Sequence, residues 1–219
     1  MKSLANTITM ADVLLLKAGV RRNLIVDIAL ILGFSWAIAL FARISFLIPG
    51  TVVPISGQTL AVLLAGALLG SRRGTLSLMA YAAQGACGLP VFAYTAAMGY
   101  GGGIARLVGP TGGYIIGFIV AAFVVGLLVE RGWDRRFRTM IPALFIGTAV
   151  IYFFGLLWLS HFFSPAWLSS WQINLLWLDP TRGLFMAGLY PFVPGDLIKI
   201  ILAATMLPSG WALLSGWRK

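Results

Sequence analysis

The sequence predicts an all-α polytopic membrane protein, a bundle of six transmembrane helices with both termini in the cytoplasm. Of its 219 residues, 60% are hydrophobic and only 10% are charged, whereas a soluble domain carries roughly 25% charged residues. The apolar residues form runs of about 20, the length that crosses a bilayer. The basic residues lie between these runs, mostly in alternate links, and this arrangement sets the orientation of membrane helices.

The apolar runs define six candidate spans. In chain order they are Leu24–Ile48, Val52–Gly70, Gly74 to about Phe92, Gly112–Glu130, about Ile141–Phe162 and about Pro194–Leu207. The sixth is short, and we expect it to continue past Pro208 toward Leu214 with a kink, because proline disturbs a helix interior.

The first run also has to be compared with a signal peptide. Arg21 and Arg22 precede it, and Ala37–Ala39 resembles a cleavage site. The run is much longer than the roughly 7–15 apolar residues of a signal sequence, so we expect an uncleaved helix. The predicted organisation is therefore a cytoplasmic N-terminal segment, residues 1–22, followed by one transmembrane substrate-binding domain, residues 23–219.

The lysines and arginines orient the bundle. Twelve of them lie before the first run, between the second and third, between the fourth and fifth, and after the sixth. The opposite links hold only Arg106 and Arg182, while Arg43 and Lys199 fall within candidate spans. Since cytoplasmic loops carry the excess of positive charge, both termini are predicted inside, which requires an even number of spans. The net charge of +10 therefore reflects topology and gives no reason to expect nucleic acid as a partner.

The link at 164–193 is long and aromatic. Trp167, Trp171, Leu175 and Leu178 recur in it at helical spacing, with polar residues between them. This pattern predicts a helix lying in the membrane interface. It is either an ordinary aromatic anchor or a lid over a binding site.

Ionisable residues inside a membrane usually face a cavity or a partner. Asp196 and Lys199 are three residues apart, so they share one face of the sixth helix. One interpretation is a helix cap with an ion-pair partner. The other is a polar clamp for a planar ligand group that carries N–H donors beside a carbonyl.

Further candidates fall on the same outer side of the predicted topology: Gln58, Tyr94, Arg106 and Thr111. Gln58 either bridges helices or contacts a ligand. Thr111 lies in a glycine-rich turn before the fourth helix, where free N–H groups suit an anion, although a tight turn alone also explains the pattern. Together with Asp196 and Lys199, these residues predict one outward-facing pocket for a small molecule.

Several residues have a structural interpretation. We expect Asp27 and Arg43 to pair or to extend toward the interface. Gln84 is expected to bridge two helices, and Cys87 to be a packed, inert thiol. Gly33 with Ala37, or Ser35 with Ala39, form small-residue pairs that suit either internal packing or a partner helix.

Other function classes lack their signatures. The sequence has no G-x-x-x-x-G-K-[ST] phosphate loop, so the chain is not expected to hydrolyse ATP itself. His161 and Cys87 are the only residues of their types, which excludes a His/Cys metal cluster. The six acidic residues are scattered, which argues against the alternative of a membrane enzyme acting on a lipid or prenyl substrate. We predict neither enzymatic activity nor a cofactor.

Four ordered motifs carry a resemblance to a known family. They are residues 54–66 (PISGQTLAVLLAG), 88–93 (GLPVFA), 109–118 (GPTGGYIIGF) and 191–199 (PFVPGDLIK). In these residues the chain resembles the BioY family, the biotin-specific substrate-binding (S) components of energy-coupling-factor (ECF) transporters. An S component for a different vitamin remains the alternative within this resemblance.

The resemblance implies a function and a site. Biotin would be the transported ligand, bound by Asp196 and Lys199, and less firmly by Gln58, Arg106 and Thr111, with Tyr94 as an aromatic cover. The implied location is the cytoplasmic (inner) membrane. The implied partners are a transmembrane coupling (T) protein and the ATPase subunits of an ECF module, whose ATP hydrolysis drives delivery.

Overall fold

The computed structural model describes residues 8–46, 53–95, 99–162 and 180–216. These ranges form helices and one short hairpin, in which β1 (Ser45–Phe46) pairs antiparallel with β2 (Ile55–Ser56). The helices are α1 (Met10–Lys17), α2 (Leu24–Arg43), α3 (Gln58–Ala86), α4 (Ile104–Val108), α5 (Gly112–Glu130), α6 (Phe137–Leu159), α7 (Pro180–Gly188) and α8 (Val193–Gly216). Short 3-10 turns occupy Trp133–Arg135 and Ser160–Phe162.

Within the described residues, four helices are long and apolar enough to cross a membrane. They are α2, α5, α6 with the turn that follows it, and α8, with mean hydropathies between 1.8 and 2.5. They correspond to the first, fourth, fifth and sixth predicted spans, and the bounds of α5 coincide with the prediction. Helix α8 runs through Pro208 to Gly216, which confirms that the short sixth run continues.

The second and third predicted spans form one helical hairpin, α3. Gly70 interrupts the helix with φ 83°, a conformation that glycine adopts without steric cost. The chain reverses there: Gln58 Nε2 lies 2.6 Å from the Tyr81 hydroxyl, whereas a straight helix would separate these residues by about 35 Å. The reversal occurs before Arg72, so both arginines of the predicted link belong to the second half of α3.

Glutamate 130 holds the start of that second half. Its Oε1 accepts hydrogen bonds from the backbone N–H of Ser71 at 2.7 Å and from the Ser71 hydroxyl at 2.8 Å. A carboxylate at a helix N-terminus also interacts favourably with the helix dipole. The C-terminus of α5 therefore fixes the position of the turn in α3.

Glycines bring α3, α5 and α6 into close contact. A Cβ on Gly126 of α5 would lie 2.3 Å from the Ser71 backbone nitrogen, and one on Gly66 of α3 would lie 2.6 Å from the Ala122 carbonyl oxygen. On the other side of α5, a Cβ on Gly117 would lie 2.9 Å from the Ile151 carbonyl oxygen. Such small-residue contacts let membrane helices approach backbone to backbone.

An arginine anchors the N-terminal segment. Arg73, 5% exposed, pairs with Asp12 of α1 at 2.7 Å and with Asp27 of α2 at 2.6 Å. Asp27 therefore has an ion-pair partner, as expected. Burial acts to raise the pKa of Asp12, but the hydrogen bonds from Arg73 and Thr9 and the charge of Arg73 outweigh it and hold the pKa below its usual value.

Helix α2 is the least buried of the candidate spans. Ser35 and Ala39 are buried, and the Ser35 hydroxyl accepts a hydrogen bond from Gln84 Nε2 at 3.0 Å, which confirms that Gln84 bridges two helices. A Cβ on Gly33 would meet nothing within 4 Å. Of the two small-residue pairs, Ser35 with Ala39 thus serves internal packing.

One expectation was wrong, and another falls outside the described residues. Cys87 is exposed because it caps the end of α3 instead of packing inside the bundle. The predicted interface helix with Trp167, Trp171, Leu175 and Leu178 lies in residues 163–179, outside the described ranges.

The glycine contacts give a stability prediction. Gly126→Val should lower the unfolding temperature in detergent, because overpacking a close helix contact costs about 1–3 kcal/mol. Gly33→Val is the matched control: it makes the same substitution in a helix where nothing lies within 4 Å. Thermal unfolding of both variants tests this, and equal unfolding temperatures would contradict the packing described for α5.

Candidate binding site

The described residues enclose a cavity between the hairpin strands, the loop before α5, and helices α3, α5, α6 and α8. It contains about 670 Å³ of empty space, counting the part open to solvent. Its polar lining comprises Ser56, Gln58, Thr59, Thr95, Arg106, Thr111, Tyr114, Tyr152, Asp196 and Lys199. Its apolar lining comprises Val53, Pro54, Phe92, Ala93, Ile115, Phe118, Ile151 and Phe192. Apolar walls with a few converging polar groups are typical of small-molecule sites.

The predicted pair lies in the first turns of α8. Lys199 Nζ is 2.8 Å from Asp196 Oδ1; the Asp196 side chain is buried, at 5% exposed, and the Lys199 side chain is partly buried, at 17%. Lys199 also donates to the Thr59 hydroxyl and to the Ser56 carbonyl oxygen, both at 2.8 Å. The three donors of the ammonium group therefore each have an acceptor.

The carboxylate of Asp196 is held from three sides. Thr59 donates its hydroxyl to Oδ1 at 2.9 Å, beside Lys199. The Tyr152 hydroxyl of α6 donates to Oδ2. Because a buried charge is costly unless it is paired and hydrogen-bonded, these contacts explain how the carboxylate is tolerated there.

Tyr152 and Thr59 were not among the candidates from the sequence. Tyr152 is a polar aromatic residue within the apolar run of α6, and Thr59 directly follows Gln58 in the chain. The rule that polar atoms inside a membrane need a partner applies to hydroxyls as well as to charges. That signal would have found both residues.

Gln58 belongs to a buried hydrogen-bond chain. Its Nε2 donates to the Tyr81 hydroxyl at 2.6 Å, and Tyr81 donates to the Val91 carbonyl oxygen at 3.2 Å. Its Oε1 accepts from the Ser56 hydroxyl at 3.0 Å. The side chain bridges the two halves of α3, which agrees with one interpretation of Gln58. It also lines the cavity, where contact with a ligand remains a prediction.

Arg106 organises the loop that covers the cavity. It is 4% exposed, and its guanidinium donates to the Thr95 hydroxyl at 2.5 Å and to the carbonyl oxygens of Ala93 and Gly99 at 2.6 and 2.8 Å. Arg106 nevertheless lines the cavity. The charged residues of the lining are Arg106, Lys199 and Asp196. Their formal charges leave one net positive charge, which favours an anionic ligand.

The turn before α5 places Thr111 in the cavity wall. The glycines of this turn leave no space for a side chain. A Cβ on Gly113 would lie 2.1 Å from Cβ of Trp158, and one on Gly112 would lie 1.8 Å from the Leu107 carbonyl oxygen. The Trp158 indole also donates to the Gly109 carbonyl oxygen at 2.9 Å. A tight turn is thus required here, and contact with an anion remains a prediction.

Tyr94 lies away from this cavity. Its side chain is 38% exposed and packs edge-on against Tyr100 at 5.3 Å between ring centroids. The Arg43 guanidinium lies over the Tyr100 ring, 4.9 Å from its centre, and donates to the Pro90 carbonyl oxygen. The structure therefore brings five of the six predicted residues to one cavity and leaves Tyr94 on the surface beside it, so its role as an aromatic cover is unsupported by the geometry.

Comparison with known proteins places the chain in a family. The sequence model of the BioY family matches residues 9–216, nearly the whole chain. The chain belongs to the BioY family. The match covers each element that lines the cavity.

Individual relatives support the assignment. A probable biotin transporter BioY of Pyrococcus horikoshii is 38% identical over 153 residues, 69% of this chain and 76% of the relative. The biotin transporter BioY of Thermotoga maritima is 37% identical over 157 residues, 72% of this chain and 80% of the relative.

A solved structure shares the fold. The crystal structure of the S-component for biotin from an ECF-type ABC transporter matches with a TM-score of 0.63 and 27% sequence identity. The match covers 84% of this chain and 90% of that protein. The helical architecture described here is therefore that of a substrate-binding component.

The buried chain from Gln58 to Val91 gives a second stability prediction. Tyr81→Phe should destabilise the protein by about 1–3 kcal/mol, because it leaves Gln58 Nε2 and the Val91 carbonyl without their buried partner. Tyr190→Phe is the control, since it removes a hydroxyl from a side chain that is 54% exposed. Thermal unfolding in detergent should separate the two variants; an unfolding temperature for Tyr81→Phe as high as for the control would show that the chain contributes nothing to stability.

Proposed function

We propose that this protein captures biotin with high affinity and takes it up across the cytoplasmic membrane as the substrate-binding component of an ECF-type transporter. The observation that carries the proposal is the cavity holding Asp196 and Lys199, in a chain of the BioY family. Relatives with 37–38% identity are named as biotin transporters. The protein is a transport component and no enzyme.

The lining of the cavity suits the chemistry of biotin. The ureido ring of biotin offers one carbonyl and two N–H groups, while its valeryl chain ends in a carboxylate. Asp196 and Lys199 supply an acceptor and a donor side by side, 2.8 Å apart. The net positive charge of the lining favours the carboxylate, and Phe92, Phe118 and Phe192 provide apolar walls for the thiophane ring.

Binding requires exchange of hydrogen bonds that the site already makes. The three donors of Lys199 are used within the protein by Asp196, Thr59 and the Ser56 carbonyl. A ureido group that presents both an acceptor and a donor can replace one of these contacts without leaving either charge unpaired, which limits the cost of binding. We expect affinity in the nanomolar range, on the order of −12 kcal/mol.

We further propose that the chain crosses the membrane six times, with both termini in the cytoplasm. Helices α2, α5, α6 and α8 provide four spans, and the two halves of α3 provide the others. In this topology Gly70 and the basic link before α6 face the cytoplasm, whereas the cavity opens outward. The segment 1–22 is cytoplasmic and 23–219 forms the binding domain.

Energy must come from partner proteins under this proposal. The sequence has no phosphate-binding loop of its own. A transmembrane coupling protein and ATPase subunits of an ECF module would associate with the chain and use ATP hydrolysis to release biotin inside.

Binding to the purified protein tests the ligand. Protein purified in detergent should retain biotin detectable by mass spectrometry and should bind added biotin in a calorimetric titration. Asp196→Asn should weaken binding by more than about tenfold, or ~1.4 kcal/mol, because the amide carries no negative charge to pair with Lys199 and its NH2 group cannot accept a hydrogen bond from Tyr152.

Asp134→Asn is the matched control. Asp134 is also buried, at 1% exposed, but it lies in the turn before α6, where it accepts from the Trp211 indole. Burial disfavours the charged form and raises the pKa of Asp134, and the amide oxygen of asparagine can still accept from the indole. The control should bind biotin like the unmodified protein. A different retained vitamin, or unchanged affinity in Asp196→Asn, would contradict the proposal.

Cysteine labelling on intact cells tests the orientation. In a Cys87→Ala background, a membrane-impermeant maleimide should label Ala105→Cys, at an exposed position of α4, but should label Arg136→Cys, at an exposed position before α6, only after lysis. The two positions lie on opposite sides of the membrane under the proposed topology. Labelling of Arg136→Cys on intact cells would refute it.

A further inference from the structure

A second cavity lies between α6 and α8, on the other side of the residues that hold Asp196. It contains about 680 Å³ of empty space, counting the part that is open. Its lining is mostly apolar, with Phe145, Leu197 and Ile200 among its residues. Phe145 and Leu197 are 58% and 46% exposed, so this cavity opens at the lipid-facing surface of the helix pair. We call it the side cavity.

Two residues line both cavities: Tyr152 and Asp196. The Tyr152 hydroxyl donates to Asp196 Oδ2, which fixes the ring across the space between α6 and α8. Asp196 itself is held by Lys199 and Thr59 from the side of the first cavity, the proposed biotin site, which we call the ligand cavity. The part of the wall that a substitution can remove without breaking the Asp196–Lys199 pair is therefore the aromatic ring of Tyr152.

One polar atom in the side cavity lacks a partner. Thr148 is 7% exposed, and its hydroxyl has no hydrogen-bond partner among the described residues. Thr148 lies four residues before Tyr152, so the two side chains are on one face of α6, one turn apart. Because an unpaired buried hydroxyl is unfavourable, this position favours a ligand with a polar atom that reaches past Tyr152.

We propose that Tyr152 is the residue that determines how large a ligand the site accepts, by separating the ligand cavity from the side cavity. This inference rests on the proposed binding of biotin. The end of biotin that lies against Asp196 abuts the Tyr152 ring. Removing the ring joins the two cavities, so the site then accepts biotin derivatives extended at that end, and a polar linker in the extension can bond to Thr148.

The proposal distinguishes the ring of Tyr152 from its hydroxyl. The barrier between the cavities is steric, whereas the hydroxyl supports Asp196. Tyr152→Phe should therefore weaken the binding of biotin and of extended derivatives to the same degree. Tyr152→Ala should also weaken biotin binding, but it should improve the affinity for an extended derivative relative to biotin.

The experiment compares two butyl-extended probes with biotin. One is the N-butyl amide of the valeryl carboxyl group, and the other is biotin alkylated with butyl on a ureido nitrogen. Dissociation constants are measured for the unmodified protein, Tyr152→Phe and Tyr152→Ala. For each variant, the affinity for a probe is divided by the affinity for biotin. For one of the probes, this ratio should be at least about tenfold higher in Tyr152→Ala than in the unmodified protein. In Tyr152→Phe the ratio should be unchanged.

Filling the side cavity provides the control. Ala149 lines the side cavity but not the ligand cavity. Ala149→Phe in the Tyr152→Ala background should abolish the gain, while Ala149→Phe alone should leave biotin binding unchanged. If Tyr152→Ala is unstable, Tyr152→Leu, which also removes the ring, serves the same comparison.

The outcomes separate the two proposals. Failure of the unmodified protein to bind biotin would refute the proposed function. Biotin binding with no gain for either probe in Tyr152→Ala or Tyr152→Leu, or a gain that Ala149→Phe does not reverse, would refute only the role of Tyr152. A gain for one probe that the filled cavity reverses supports it and identifies the end of biotin at Asp196.

Discussion

The buried carboxylate of Asp196 is the constraint around which the site is organised. A charge in the interior of a membrane bundle is stable only if its partners are precisely placed. Here the partners come from three elements: Lys199 from α8 itself, Thr59 from the first half of α3, and Tyr152 from α6. The sharp turn at Gly70 and the close glycine contacts of α5 are what bring those elements together.

This arrangement has a consequence for ligand recognition. Lys199 and Asp196 satisfy each other in the described structure, so neither charge of this pair is free for a ligand. A ligand group gains from the pair only by replacing existing contacts with equivalent ones, and groups that lack either the donor or the acceptor leave a buried group unpaired. Selectivity for a ureido-like group therefore follows from the cost of breaking the pair as much as from new contacts.

Much of the fold could be predicted from the sequence, because membrane spans have a strong hydrophobic signal: the bounds of α5 coincide with the prediction and α8 continues beyond Pro208. The predicted second span ended at Gly70, where the structure places the turn, but Arg72 and Arg73 were assigned to the link and lie in the second half of α3. The charge pattern marks a membrane side and not the residue with positive φ. At the cavity, charge at an outer helix end predicted Asp196 and Lys199, which do line it. Tyr152 was not predicted because its contact with Asp196 depends on which helix packs beside α8. Tyr94 was predicted but lies on the surface, packed against Tyr100.

The most direct test of this account is a crystal or cryo-electron microscopy structure of the protein with biotin bound. The account predicts biotin in the cavity lined by Phe92, Phe118 and Phe192, with polar atoms of the ligand within hydrogen-bond distance of both Asp196 and Lys199. Biotin bound elsewhere, or bound in this cavity while Asp196 and Lys199 keep every contact described here and touch no ligand atom, would contradict it.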